Sequence, residues 1–383
     1  MRRMSKLKIL LLAGVMGMSL PITSMASPEF SRTAGEWSSL RDNVLEYGEI
    51  ADLIHEYNVT VQNNRYEYNE FIKDYGKKKD DVAQAYRDLA DDLEAEKSGD
   101  DSAMSRVSDL QLDIQAKQLR EQADDNLEDS EIHYLSYSQA EDNLVLSAQS
   151  KFISYYKNQL ELEAAEAQKK TLENTETLTA AKRQAGMATE ADVLSAQESV
   201  LEQEKTISGL KQEIERTRQE LIIMLGWKGS DQPEITGLPD NIMAELDSID
   251  LQADQETALE KNYTLRINRK KLENADDADS KAKIKNTISG NERQIEVSVT
   301  NAWEGLQTGK LSYEQAVSDA AAEARNMEQA VQKWSAGMIT RYDYEQQQAA
   351  LTKKELAVKT AELNLIDLLE TYRWNVNGLA SAE

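Results

Sequence analysis

Apolar residues recur every seventh position along two segments of this 383-residue chain. Val193, Val200, Ile207, Ile214 and Leu221 form the first series; Tyr344, Leu351, Val358, Leu365 and Tyr372 form the second, at a constant offset of 151. A sustained seven-residue repeat keeps one face of a helix turned toward a neighbour and gives a left-handed supercoiled seam. The intervening positions are mixed: Ala196, Gln203, Leu210, Thr217 and Met224, then Gln347, Lys354, Ala361, Leu368 and Asn375. So polar a seam fits a helix shared between neighbours in an assembly, or beside water, better than a closed two-stranded coil.

The same turn precedes each series. Gly186-Met187-Ala188-Thr189-Glu190-Ala191-Asp192 returns as Gly337-Met338-Ile339-Thr340-Arg341-Tyr342-Asp343. Glycine accepts the left-handed conformation that ends a helix. The threonine three residues on can cap the next helix, with the aspartate at the third helical position as in a capping box. One copy would be a good hairpin turn; two copies in one heptad register predict turns presented together at one end of an assembly. Reading backwards, Ala103 to Ala185 has no strong breaker and predicts roughly 120 Å of helix. Ser98-Gly99-Asp100-Asp101 would bend it from an earlier helix, about Val44 to Lys97, kinked at Gly76. In the second half, about Gln252 to Ile288 leads through Ser289-Gly290-Asn291 to a helix ending at Ala336. Asn58 to Gly186 is 128 residues against 74 from Tyr263 to Gly337, and the mostly charged surplus, about 75–129, predicts an extended arm.

The four prolines are Pro21, Pro28, Pro233 and Pro239. Interior proline costs a helix about 3 kcal/mol, so the two long proline-free stretches suit uninterrupted helices. The breaker-rich run from Gly226 to Pro239 separates the halves. The expected fold class is all-α: two tandem repeats of long antiparallel coiled-coil hairpins, with little or no β. The organisation is a segment 27–43, a first repeat 44–226, a linker 227–251 and a second repeat 252–378. Ahead of these, a basic start, the apolar run Ile9 to Leu20 and Ser24-Met25-Ala26 read as a secretory signal peptide, 1–26. That run is too short for a membrane anchor of about 20 residues, and no later stretch is apolar enough to span a bilayer as a helix.

Composition narrows the chemistry. There are 44 Lys+Arg against 69 Asp+Glu, for a net charge of −25; losing Arg2, Arg3, Lys6 and Lys8 with the signal would make it −29. This sign opposes nucleic-acid binding. With no Cys, disulfides, thiolate metal sites, a cysteine nucleophile and a lipidated N-terminal cysteine are excluded. Only 6% of residues are aromatic while 30% are charged, which suits long amphipathic helices better than a thick core. No nucleophile–base pair, phosphate loop or acid pair stands out, so an enzyme is not expected, nor a cofactor.

The repeated pattern resembles the TolC-like outer-membrane efflux proteins, from about Val44 to Gly378. The likeness is most specific at Gly186 to Gln197, at Leu221-Ile222-Ile223-Met224-Leu225-Gly226 and at Gly337 to Asp343. It implies a homotrimer in which each chain gives four helices to the tip of a tunnel. That tip meets the coiled-coil hairpins of a periplasmic adaptor, fed by an inner-membrane ABC-type or proton-driven exporter. Gly186, Met187, Ala188, Thr189, Gly337, Met338, Ile339 and Thr340 would then face the adaptor. Asp343 matches an acidic position narrowing the tunnel entrance, and Asp192 one that latches the closed tip to a Tyr and an Arg. Here Trp334 stands at the Tyr position and Ile339 at the Arg position, with Arg341 nearby. Outer-membrane members insert two pairs of strands per chain where the helices reverse. Around Ser98-Gly99-Asp100-Asp101 and Ser289-Gly290-Asn291 no alternating run of about 9–11 residues occurs, and Ile295 to Val299 is too short. The expectation is a TolC-type helical protein of the cell envelope without its membrane barrel.

The remaining candidates favour plain readings. His55 and His133 lack metal-site spacing. Asn274-Ala275-Asp276-Asp277-Ala278-Asp279 lacks the glycine and terminal Glu of a calcium loop and reads as a solvated face. Lys77-Lys78-Lys79, followed by two aspartates, reads as a surface charge pattern. Trp227, Trp303, Trp334 and Trp374 lie near helix ends or bends, where large rings seal packing. The competing function is an exported coiled-coil spacer of the envelope that conducts nothing. The adaptor itself is a weaker reading, since no strand-rich stretch appears.

Overall fold

Five helices among the described residues of this chain start on Asn or Asp. In the computed structural model, which describes residues 33–40, 42–100, 102–239 and 242–382, Asp129, Asp250 and Asp277 cap helices, and Asn58 and Asn262 do the same. The proposed signal peptide lies outside the described residues. The order is α1 (Ala34–Ser39), β1 (Val44–Glu46), α2 (Ile50–Tyr57), α3 (Val59–Tyr75), α4 (Lys79–Ala95), α5 (Ala103–Asp124), α6 (Ser130–Gln184) and α7 (Glu190–Met224). There follow β2 (Glu234–Thr236), α8 (Ile242–Leu246), α9 (Leu251–Lys261), α10 (Tyr263–Asn274), α11 (Ala278–Ser335) and α12 (Arg341–Trp374). The fold is all-α apart from β1 and β2, which pair in parallel with Leu45 opposite Ile235.

Three expected boundaries move. The helix expected from Ala103 to Ala185 is two, because Asp129 accepts the Glu131 and Ile132 amides at 3.0 Å and Asn126 accepts that of Glu128. The helix expected over Val44 to Lys97 begins as strand β1 and breaks at Asn58, whose extended backbone (ψ 125°) cannot continue α2. Ser289-Gly290-Asn291 is not a reversal: it lies inside α11, and the chain turns instead at Ala275-Asp276-Asp277, where Asp277 accepts the Ser280 amide at 2.7 Å. A single glycine weakens a helix by only about 1 kcal/mol, less than the flanking stripe recovers by packing. The acidic run read as a solvated face is therefore this turn.

The long helices pack in the order α7, α6, α12, α11. Across their other halves α6 and α11 are flanked by α3 and α10. One core binds them midway, built from Leu45, Ile50, Phe152, Leu221, Leu265 and Ile295, all buried. The 227–251 stretch is part of it, since Ile242 and Leu246 are buried there. Its ties include the Tyr156 hydroxyl donating to the Ile235 carbonyl at 2.9 Å and Arg373 clamping Glu245 of α8 and buried Glu370. Below the core the layer is one helix thick. Between 166 and 216 only Val193, Val200 and Ile207 are buried, and between 307 and 355 only Ala330.

Two equivalent joints let short helices abut end to end at the core. Asn58 caps α3, accepting the Thr60 amide at 2.9 Å, while its amide donates to the Met224 carbonyl at the end of α7 at 2.8 Å. Asn262 caps α10, accepting the Leu265 amide, and donates to the Ala380 carbonyl at 2.7 Å beyond α12. Gly226 (φ 80°) and Gly378 (φ 119°) close the two joints, and a Cβ on Gly226 would stand 2.4 Å from that of Tyr57. Gly226→Ala is therefore expected to cost about 2–4 kcal/mol, backbone strain plus overpacking. Gly186→Ala, where a Cβ meets nothing within 4 Å, should cost about 1–2 kcal/mol. Urea unfolding followed by circular dichroism compares the two; equal losses would mean the joint is loosely packed.

Candidate functional site

The two hairpin turns are the same object twice. In the first, the Met187 amide donates to the Lys182 carbonyl (2.8 Å) and that of Gly186 to Arg183 (2.9 Å), with Gly186 at φ 76°. In the second, Met338 donates to Lys333 (2.8 Å) and Gly337 to Trp334 (2.9 Å), with Gly337 at φ 70°. This pair of bonds is a Schellman ending, which returns two orphan carbonyls to partners. Thr189 and Thr340 then cap α7 and α12. Their hydroxyls accept the Asp192 and Asp343 amides at 3.2 and 3.1 Å, and those carboxylates take back the threonine amides at 2.7 and 3.1 Å.

The chain holds the turns side by side. Asn174 of α6 donates to Glu345 of α12 at 2.9 Å, and the Thr175 and Tyr342 hydroxyls meet at 3.3 Å. Gly186 is 12 residues past Asn174 and Gly337 eight before Glu345, so the first tip overreaches the second by ~6 Å. Each tip offers one large apolar side chain, Met187 and Met338 being 73% and 74% exposed, beside the charged Arg183, Glu190 and Arg341. A ridge of this kind suits packing against another helix better than polar chemistry.

The residues compared with a latch are not joined within the chain. Asp192 bonds to Thr189, Trp334 stacks on Tyr344 with ring centroids 5.7 Å apart, and Arg341 pairs with Glu345 at 2.7 Å. No group of His, Asp or Glu side chains among the described residues could hold a metal ion. His55 pairs with Glu141, and His133 lies on the Phe71 ring, where burial lowers its pKa.

The half-polar seam is consumed inside each hairpin. Gln203 donates to the Ala165 carbonyl at 3.0 Å, Asn158 to Thr217 at 3.3 Å, and Lys354 to Asp319 at 2.8 Å. The seam expected to lie between neighbours in an assembly or beside water is met within each hairpin, and a different surface is left for neighbours. α7 packs substantially on α6 alone, and along the tip half α11 packs on α12 alone. The outer faces so left open expose Leu194, Leu201 and Ile223 on α7, and Leu311 and Val331 on α11, while Val317 lines a groove with Glu163 and Leu356. Leu194 and Leu201 keep the seven-residue spacing one position past the main series, which was the available signal.

With this geometry in hand, solved structures supply a match. A membrane protein from Pseudomonas aeruginosa aligns at TM-score 0.56 and 12% identity over 94% of this chain and 97% of its own. The CmeC outer-membrane channel of Campylobacter jejuni aligns at 0.53 and 10%, covering 95% of each chain. The VceC outer-membrane protein of Vibrio cholerae aligns at 0.51 and 10%, over 90% of this chain and 99% of its own. The chain has the TolC-like fold. No family model and no curated protein matches it, so the likeness is one of architecture. In this TolC-like chain no helix among the described residues is long and apolar enough to cross a membrane. The points where the long helices reverse, 76–129 and 275–277, carry a helical hairpin and a short turn.

The tip geometry fixes a pH dependence. Backbone and then side-chain hydrogen bonds from Thr189 hold the Asp192 carboxyl below the usual aspartate range; for Asp343 the Thr340 hydroxyl leads and its backbone follows. A lowered carboxylate pKa adds stability that is complete above the unfolded value and disappears as pH falls through the folded one. Carboxyl NMR titration should find both aspartates below free Asp, and Thr189→Ala should move Asp192 up while leaving Asp343 in place. An unmoved Asp192 would mean the capping box is not formed in solution.

Proposed function

We propose that this protein is the duct component of an envelope export system, a homotrimer whose tips dock an adaptor of a transport pump. The observation that carries the reading is the open order α7, α6, α12, α11 with an unpartnered apolar face at each end. A closed four-helix bundle would bring α7 against α11 and bury those faces. An open layer leaves them for the next copy, α7 of one against α11 of another. Repeating that heterologous contact under rotation closes a ring, and three copies of four helices make a hollow one. The thin lower layer supports this reading, because a wall has two wet sides and a bundle has a dry centre. In the ring the paired tips point one way, offering the Met187 and Met338 ridges to an adaptor's hairpin. The strong acidity of the chain would give the bore a potential favouring cations. The reading assigns the chain no enzymatic step and no cofactor. Export through a cleaved signal would place it in the cell envelope.

A second reading, an envelope spacer that conducts nothing, is favoured by one feature. The reversals at the pole opposite the tips carry no strand of membrane-spanning length among the described residues.

Light scattering on the purified protein at micromolar concentration should give three times the chain mass. Leu201→Lys with Leu311→Lys should shift it to monomer while helicity stays; a monodisperse wild-type monomer would overturn the duct. Met187→Asp with Met338→Asp should weaken binding to an adaptor hairpin at least tenfold, about 1.4 kcal/mol, and leave the oligomer intact. Unchanged binding would favour the spacer.

A further inference from the structure

The α4–α5 hairpin is an arm with one face unaccounted for. Ala90, Leu93 and Ala116 pack its two helices together, and its contact with the body is confined to the base. There Tyr86 packs on Tyr75, and Lys79 donates to the Asn274 carbonyl at 2.7 Å. The side of α5 turned away from α4 exposes Met104 (82%), Val107 (59%), Leu110 (59%) and Ile114 (50%). Met104, Val107, Gln111, Ile114 and Gln118 follow the alternating 3-4 spacing of a coiled-coil seam.

Charge decides what covers it. The arm carries 13 acidic and six basic residues over 79–124, yet many of them sit on the α4 side. Arg120 bonds Asp91 and Glu94, Lys97 pairs with Asp113, and Asp109 caps the loop at Ser98. From Met104 to Gln118 the seam is flanked by Ser108, Gln115 and Gln122, with Lys117 beside it and Glu121 at its next position, toward the base of the arm. A helix made to lie in a lipid interface carries Lys and Arg on its polar face, and a surface for a basic partner would be acidic. From Met104 to Gln118 the stripe is uncharged on an otherwise strongly acidic chain, and there identical copies can meet without repulsion.

We infer that the α5 seams of the copies pack together on the symmetry axis, closing the pole opposite the tips with a parallel coiled coil. This rests on the trimer reading. Reach allows it at the Met104 end: twelve helices spaced about 9–10 Å apart make a ring of roughly 18 Å radius, and α5, held near that ring by its base, is ~33 Å long. Rotational symmetry sets equal positions face to face, so Val107 meets Val107 and the Gln111 amides can bond one another. In the assembled duct this coil is a plug or collar over the opening.

The absence of cysteine makes disulfide trapping clean. Val107→Cys and Ile114→Cys, each alone in the full chain, should on mild oxidation give covalent dimers about tenfold more readily than Gln84→Cys on α4. Light scattering runs alongside. A trimer whose Val107→Cys and Ile114→Cys forms do not crosslink would overturn the inference and leave the duct reading standing. A wild-type monomer would remove both. Flotation with vesicles of phosphatidylcholine and phosphatidylglycerol, abolished by Val107→Asp, would assign the seam to lipid and overturn it as well.

Discussion

A helix is content only when its apolar stripe is covered, and in this chain the arithmetic of partners does not close. Along the tip half, α6 and α12 have a neighbour on each side, while α7 and α11 have one. Their outer faces keep Leu201 and Leu311 64% and 65% exposed. Everything below the mid-level core follows from this. The layer stays one helix thick, its side chains stay half wet, and the chain alone has no inside there. Such a layer must curl onto copies of itself or stay exposed, and the proposed duct is the first of these.

The core and the tips serve that layer differently. The core fixes the relative height of helices that are not continuous, through Asn58, which satisfies the start of α3 and the end of α7, and Asn262, which satisfies the start of α10 and the segment beyond α12. Without those joints the Met224 carbonyl of α7 and the Ala380 carbonyl beyond α12 would lose their partners at the core, an expensive state. The tips have no such packing behind them. Each turn is closed by local hydrogen bonds, with Asn174 to Glu345 and the Trp334–Tyr344 stack behind them, and their methionines stay exposed.

The helical hairpins, their duplication and both tip turns were legible in the residues because the governing interactions are short. A glycine in the left-handed conformation, a threonine cap and an aspartate three residues later act within one turn of chain, so Gly186 to Asp192 and Gly337 to Asp343 declare themselves. The arm at 75–129 was equally visible as a surplus of charged residues between equivalent landmarks. The turns at 125–129 and 275–277 were missed because Asn and Asp stop a helix only where their side chains find free amides. Gly290 misled in the opposite direction, since α11 runs through it.

Sequence alone determined the repeat, the helix class and the capping of the two turns. It could not say which face of α7 would be left over. The Val193 to Leu221 series looks like a seam in search of a neighbour, and only the folded chain shows it spent on α6, with Gln203 bonded to the Ala165 carbonyl. Nor could it say that Asn58 meets the carbonyl of Met224, 166 residues away. The reason is physical: a cap is settled by its nearest neighbours in the chain, whereas an open edge is defined by which distant helices arrive and which do not.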